Sequence, residues 1–349
     1  MREPDDRFLT CREVLRWHYD HRNPLFLGPP RRHYSLHYTY LHAGRWYVAS
    51  KVRKEPGRVP FNQQFAIIRA LERSPAGGIV RSPIATRWPG RHWVTGTRNR
   101  WFVRPYTDHD CAPDWRSPHL VADAARKLAL IHRTSNAIGP GILLPSARRL
   151  RIYDWAMFDV LQYPDAIVMD MRARSRPPGQ IMAVHAGLTR LRAAGRRLDL
   201  GPRGLTHHDL RTANLLVREN EVVEIVDWDR AHWDVQWYDV TLAALHIAHC
   251  RTAVLRWDLA ETFVGAYQAE SGYEIPPDAL GWLFRFTAVR NLAVSRSPEK
   301  WARLVRGVEE RWGGVGSVVV GDLVAEDEVA ADLDVAAEDG GPLGAVGVG

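Results

Sequence analysis

Three side chains suited to acid–base and metal chemistry fall within residues 205–230: Asp209, Asn214 and Asp227. The first two stand in Leu205-Thr206-His207-His208-Asp209-Leu210-Arg211-Thr212-Ala213-Asn214. The third stands in Val226-Asp227-Trp228-Asp229-Arg230. One carboxylate can receive the proton of an attacking hydroxyl. An amide and a second carboxylate can together hold magnesium against a chain of phosphates. This is the set of groups that phosphoryl transfer uses.

The residues between them supply a way to bring them together. Leu215-Leu216-Val217 and Val222-Val223-Glu224-Ile225-Val226 are short, β-rich apolar runs separated by the polar turn Arg218-Glu219-Asn220-Glu221. Such runs predict an antiparallel hairpin. Asn214 would enter its first strand and Asp227 would leave its second, at the same end. The loop from His207 to Ala213 would return Asp209 to that end as well.

The stretch resembles the catalytic core of the aminoglycoside phosphotransferase and choline kinase superfamily, a branch of the protein-kinase-like fold. The usual pattern there is His-Gly-Asp-x-x-x-x-Asn followed by Ile-Asp-Trp/Phe-Glu. Here His208 takes the place of the usual glycine, and His tolerates unusual backbone angles better than most residues. The resemblance implies ATP or GTP bound between two lobes with Mg²⁺. Asp209 would be the catalytic base, and Asn214 and Asp227 the metal ligands. His207 would tie the loop to the metal-binding segment. Asp239, in Trp237-Tyr238-Asp239-Val240, would cap the next helix and steady the loop. His132 matches a position that packs.

On the nucleotide side, Tyr47-Val48-Ala49-Ser50-Lys51-Val52 resembles the family's Tyr-Val-Leu-Lys-Val strand, so Lys51 is the expected phosphate contact, with Lys54 a weaker candidate. The helix glutamate that normally holds this lysine is missing, and apolar register puts Gln64 in its place. No Gly-x-Gly-x-x-Gly loop precedes the strand. Phe102-Val103-Arg104-Pro105-Tyr106 falls at the expected hinge, where the backbone of Val103 and Tyr106 would read adenine.

The order of elements predicts a bilobal α+β protein-kinase-like fold. Helical spacing covers 8–22, Gly28-Pro29-Pro30 breaks the chain, and strands at 33–41 and 45–52 flank an Ala43-Gly44 turn. An amphipathic helix at 63–73 and strands at 84–88, 92–95 and 100–105 complete a small N-lobe, residues 1–105. Residues 106–312 form a helical C-lobe, with helices at 120–134, at least two within 151–196 broken at Pro177-Pro178, and others at 239–250, 257–269, 277–294 and 299–312. Residues 313–349, rich in Gly, Ala, Val and acid, read as a disordered tail.

Charge narrows the choice of partner. The 349-residue chain carries +7 overall. Eight acids and no Lys or Arg follow Trp312, so the remainder carries +15, of which +13 lies in residues 1–105. Such a field favours anionic partners and draws polycations poorly. The scattered Cys11, Cys111 and Cys250 fit neither a disulfide framework nor a metal site. No run of apolar residues could span a membrane, and the charged amino terminus has no signal-peptide core, so a cytoplasmic protein is expected. No nucleic-acid recognition motif is present. The acceptor expected first is a small-molecule hydroxyl (an antibiotic, amino alcohol or biosynthetic intermediate). Ser/Thr of a natural-product precursor peptide is the second, and 14 Trp residues could serve such binding. Gln64 and the missing glycine loop also leave open a non-catalytic pseudokinase scaffold.

Overall fold

The computed structural model describes residues 10–32, 35–53, 61–95, 99–138, 156–249, 255–294 and 298–312. Residues 8–9, 33–34, Lys54, Cys250 and the acidic tail, on which several expectations fall, lie outside them. Helix α1 (Cys11–Tyr19) starts at a reciprocal capping box: the Glu13 N–H donates to the Thr10 hydroxyl, and the Thr10 N–H donates to the Glu13 carboxylate. It stops at Asp20, which takes a left-handed conformation. The helix is thus shorter than its apolar spacing suggests.

Strands β1 (Leu25–Phe26), β2 (Arg31–Arg32), β3 (Leu36–His42), β4 (Arg45–Arg53), β5 (Trp93–Thr95) and β6 (Asn99–Pro105) form one antiparallel sheet. Its order is β1-β3-β4-β6-β5, with β2 also on β3. Ala43 and Gly44 both have positive φ (48° and 74°), the backbone that a tight two-residue hairpin requires. The strand expected at 84–88 does not form. Flanking Pro83 and Pro89 supply no ladder donors, and Thr86 instead donates its N–H to the Arg91 carbonyl within a local turn.

The two faces of this sheet meet different partners. Tyr40, Ala49, Trp101 and Val103 pack with Cys11, Val14, Leu15 and Tyr19 of α1. On the other face, Phe61 and Phe65 of α2 (Phe61–Glu72) meet Trp93 and Phe102 edge-on or tilted. Each of these buried phenylalanines contributes about 1.5–3 kcal/mol by leaving water.

After β6 a connector leads to the helical lobe: α3 (Pro118–Ile138), α4 (Met157–Gln162), α5 (Pro164–Ala173) and α6 (Pro178–Gly195). Next come β7 (Arg203–Thr206), the hairpin β8 (Leu215–Arg218) and β9 (Glu221–Ile225), β10 (His232–Val235), then α7 (Gln236–Ala248), α8 (Trp257–Ser271), α9 (Pro277–Val294) and α10 (Pro298–Trp312). The hairpin forms as its apolar runs predict. The β7–β10 pair, Thr206 opposite His232, was not foreseen. Among the described residues no helix is long and apolar enough to cross a membrane.

Gly201 joins α6 to β7 with φ +93°, and a Cβ there would overlap the Trp237 ring. Gly201→Ala is expected to cost about 2–4 kcal/mol, from left-handed strain plus overpacking. Urea denaturation measures it; a loss under 1 kcal/mol would refute the packing described.

Candidate active site

The loop carrying Asp209 hangs from one buried carboxylate. Asp239 accepts the N–H of His207 and of His208, each at 2.8 Å. It also accepts from His132 Nε2 at 3.2 Å. A carboxylate can only accept, so Nε2 carries a hydrogen, and Nδ1 lies 2.9 Å from the Tyr267 hydroxyl. Asp239 is fully buried. Burial opposes its ionisation, but the hydrogen bond and charge of His132, with His207, hold its carboxyl below the usual range. Its expected place as a helix cap is corrected: the cap is Val235, and Asp239 lies inside the first turn of α7. From there its side chain can turn back toward the loop. His132 therefore packs and donates to the same carboxylate.

The loop then meets the hairpin. His207 Nε2 donates to the Val226 carbonyl at 3.0 Å, and the Val226 N–H donates to the Asn214 carbonyl at 3.0 Å. Asn214 donates its amide to the Asp209 carbonyl at 2.8 Å, with the Asp209 Oδ2 at 3.4 Å. With its nitrogen committed there, Asn214 Oδ1 is the atom that could hold a cation. Asp227 sits at the hairpin exit, exposed, with φ +69° and no side-chain capping bond. An amide oxygen and a carboxylate fit a hard divalent cation such as Mg²⁺.

Asp209 itself is buried, 5% exposed, between two guanidinium groups. Arg230 lies 3.5 Å from Oδ1 and Arg211 3.6 Å from Oδ2. Burial opposes ionisation; Arg230 first and Arg211 second outweigh it and hold the carboxyl below its ordinary value. Neither arginine was singled out from sequence, although Arg211 lies inside the first motif and Arg230 directly after the second.

The hairpin is tied to both lobes. The Ile225 N–H donates to the Ile79 carbonyl at 2.8 Å, and the Val222 N–H to Asp123 of α3 at 2.8 Å. The buried Glu224 pairs with Arg104 of β6 at 3.1 Å and accepts the Thr107 hydroxyl. Sequence reading gave Glu224 no role.

The nucleotide-side expectations are placed differently. Strand alternation puts Lys51 on the α1 face, its ammonium 5.1 Å from the centre of the Trp101 ring, a cation–π arrangement. Gln64 is buried on α2, across the sheet from that face. Ser50, opposite Phe102, is the β4 residue next to Lys51 on the α2 side, and its hydroxyl bonds His37 at 2.9 Å. At the hinge, the Val103 carbonyl accepts the Ile84 N–H and the Tyr106 N–H donates to the Trp46 carbonyl. Both groups thus already make one hydrogen bond inside the N-lobe.

A β-sheet lobe and a helical lobe, joined through β6 and bridged by the β8–β9 hairpin, define a kinase-like phosphotransferase fold. A sequence profile described as the phosphotransferase enzyme family matches residues 95–279, more than half of the chain, and the chain belongs to that family. Solved structures share the architecture at low identity. Spectinomycin phosphotransferase APH(9)-Ia, with ADP and spectinomycin, is 16% identical over 88% of this chain and 95% of that one, TM-score 0.54. A microcompartment-associated aminopropanol kinase is 18% identical over 86% and 94%, TM-score 0.58. Plasmodium vivax ethanolamine kinase is 10% identical over 82% of each, TM-score 0.54. No curated protein sequence matches the chain.

Asp239→Ala is expected to cost about 3–5 kcal/mol, because it strands a buried imidazole and two loop N–H groups. A depressed folded-state pKa stabilises above the unfolded value, about 3.9 for Asp, and that share is lost as pH falls through the folded value. Below about pH 4 the wild type should therefore lose part of its margin over Asp239→Ala. Denaturation midpoints across pH check this, and parallel curves would contradict it.

Proposed function

We propose that the protein transfers the γ-phosphoryl group of ATP to a hydroxyl of a small molecule, with Mg²⁺ held by Asn214 and Asp227. The observation that supports this reading is the bonded chain from Asp209 through Asn214 to Val226, the residue before Asp227, at one end of the hairpin. The bound cation would neutralise charge on the phosphates. ADP in the spectinomycin phosphotransferase structure supports an adenine nucleotide.

Each residue has a definable task. Asp209 orients the acceptor hydroxyl and takes its proton as the oxygen–phosphorus bond forms. Asn214 fixes the Asp209 backbone from one side, while His207 and Asp239 fix it from the other. Arg211 and Arg230, the guanidinium groups paired with Asp209, would counter charge that spreads over the equatorial oxygens. Positioning and charge complementarity supply most of the rate in such a loose transition state. The reading assigns no phosphate contact to Lys51. The acceptor is a small alcohol, and the guanidinium pair beside Asp209 makes a neutral or anionic one a better fit than a polycation.

The test is a labelled-ATP screen of small alcohols with purified protein. Asp209→Ala is expected to lower kcat by about 10²–10⁴-fold with the fold intact. Transfer by Asp227→Ala at the wild-type rate would refute the metal assignment. In a second experiment, kcat/KM is followed against pH. The wild-type acid limb set by Asp209 should lie below about pH 3.9, and in Arg230→Met it should move upward, since removing a neighbouring positive charge raises a carboxyl pKa. A limb that does not move would exclude the pairing of Arg230 with Asp209 as its cause.

A further inference from the structure

Beneath the catalytic loop lies a cluster that this chemistry does not use. His208, His232 and Asp234 are all buried (1%, 5% and 0% exposed). Each offers one ligand atom, and these atoms lie within 4.8 Å of one another.

One hydrogen of the His232 ring is fixed by a neighbouring carbonyl. Nδ1 is 2.7 Å from the Arg230 carbonyl. A carbonyl only accepts, so Nδ1 carries the hydrogen, and Nε2 of a neutral ring bears a lone pair. That Nε2 faces Asp234 Oδ2 at 3.4 Å and makes no hydrogen bond. Two acceptors turned on each other away from water repel, and a positive centre between them removes the conflict. The Asp234 carboxylate is already oriented, accepting the Met157 N–H at Oδ2 and the Val235 N–H at Oδ1, each at 2.8 Å. These donors fix its direction without cancelling its charge, as partners behind a metal ligand do.

The His208 ring completes the group. Its centre is 4.1 Å from that of His232, at 64°. His208 holds φ +63°, a conformation in which glycine would be unstrained. A proton would bridge the His232–Asp234 pair, whereas a divalent ion could also take the His208 ring within the same 4.8 Å group. Two imidazoles and one carboxylate suit a borderline ion such as Zn²⁺, while Mg²⁺ prefers oxygen.

We propose that His208, His232 and Asp234 form a zinc-type metal site, separate from Asn214 and Asp227. The present spread exceeds the roughly 3.3 Å edge of a zinc tetrahedron, so binding would draw the His208 ring inward. His208 precedes Asp209, and the Arg230 carbonyl holds His232 while its guanidinium flanks Asp209. A bound ion would therefore brace the catalytic loop from both sides.

The experiment uses untagged full-length protein, incubated with ZnCl₂, freed of excess metal by gel filtration and analysed by mass spectrometry. The wild type should retain about one zinc per chain and show a rise in Tm with Zn²⁺ that a chelator reverses. His208→Gly suits the left-handed backbone and removes one ligand; it should fold but lose both the zinc and the shift. His232→Gln should do the same. If the wild type keeps no more zinc than His208→Gly, or its Tm ignores both zinc and chelator, the proposal is overturned and the buried pair is proton-linked instead. Neither readout involves nucleotide or acceptor, so the result stands apart from the fate of the phosphotransfer reading.

Discussion

The buried Asp239 carboxylate organises the site. It gathers two consecutive loop N–H groups and an imidazole from a different helix around one negative charge. A loop before a short strand has no ladder of its own, and its backbone donors must be satisfied when it is buried. Asp239 supplies those acceptors from the first turn of α7. With His207 and His208 so held, Asp209 follows in a fixed direction rather than sampling many. His132, bonded onward to Tyr267, extends the hold into α8.

A second constraint is that the hairpin cannot move independently of its surroundings. Its backbone is bonded to Ile79 from the N-lobe side and to Asp123 from the helical side. Backbone bonds at such places count for more through what they prevent than through their energy. A slip by one residue would turn every side chain of the hairpin to the other face, and these ties exclude it.

Much of this was legible in the chain. The hairpin followed from two β-rich runs and a polar turn in which Glu219 and Asn220 both take positive φ. Helices α2 and α3 followed from periodic apolar residues, and the approach of Asn214 to Asp209 followed from the loop that returns to the hairpin. What was not legible depends on distant contacts. Arg203–Thr206 and His232–Val235 are short and far apart in sequence, and only their pairing makes them strands. Alternation along β4 shows that Lys51 and Ala49 share a face, but not that α1 covers that face. Asp239 looked like a helix cap because an acid near a helix entrance commonly is one; its work is done three-dimensionally, on a loop thirty residues earlier.

Glu224 carries a mechanical consequence. It lies three residues before Asp227 and grips Arg104 and Thr107, next to the crossing between lobes. Asp209, by contrast, is anchored through Asp239 to the helical lobe. Any rotation of one lobe on the other would therefore load the hairpin between its Glu224 grip on β6 and its Asp123 tie to α3.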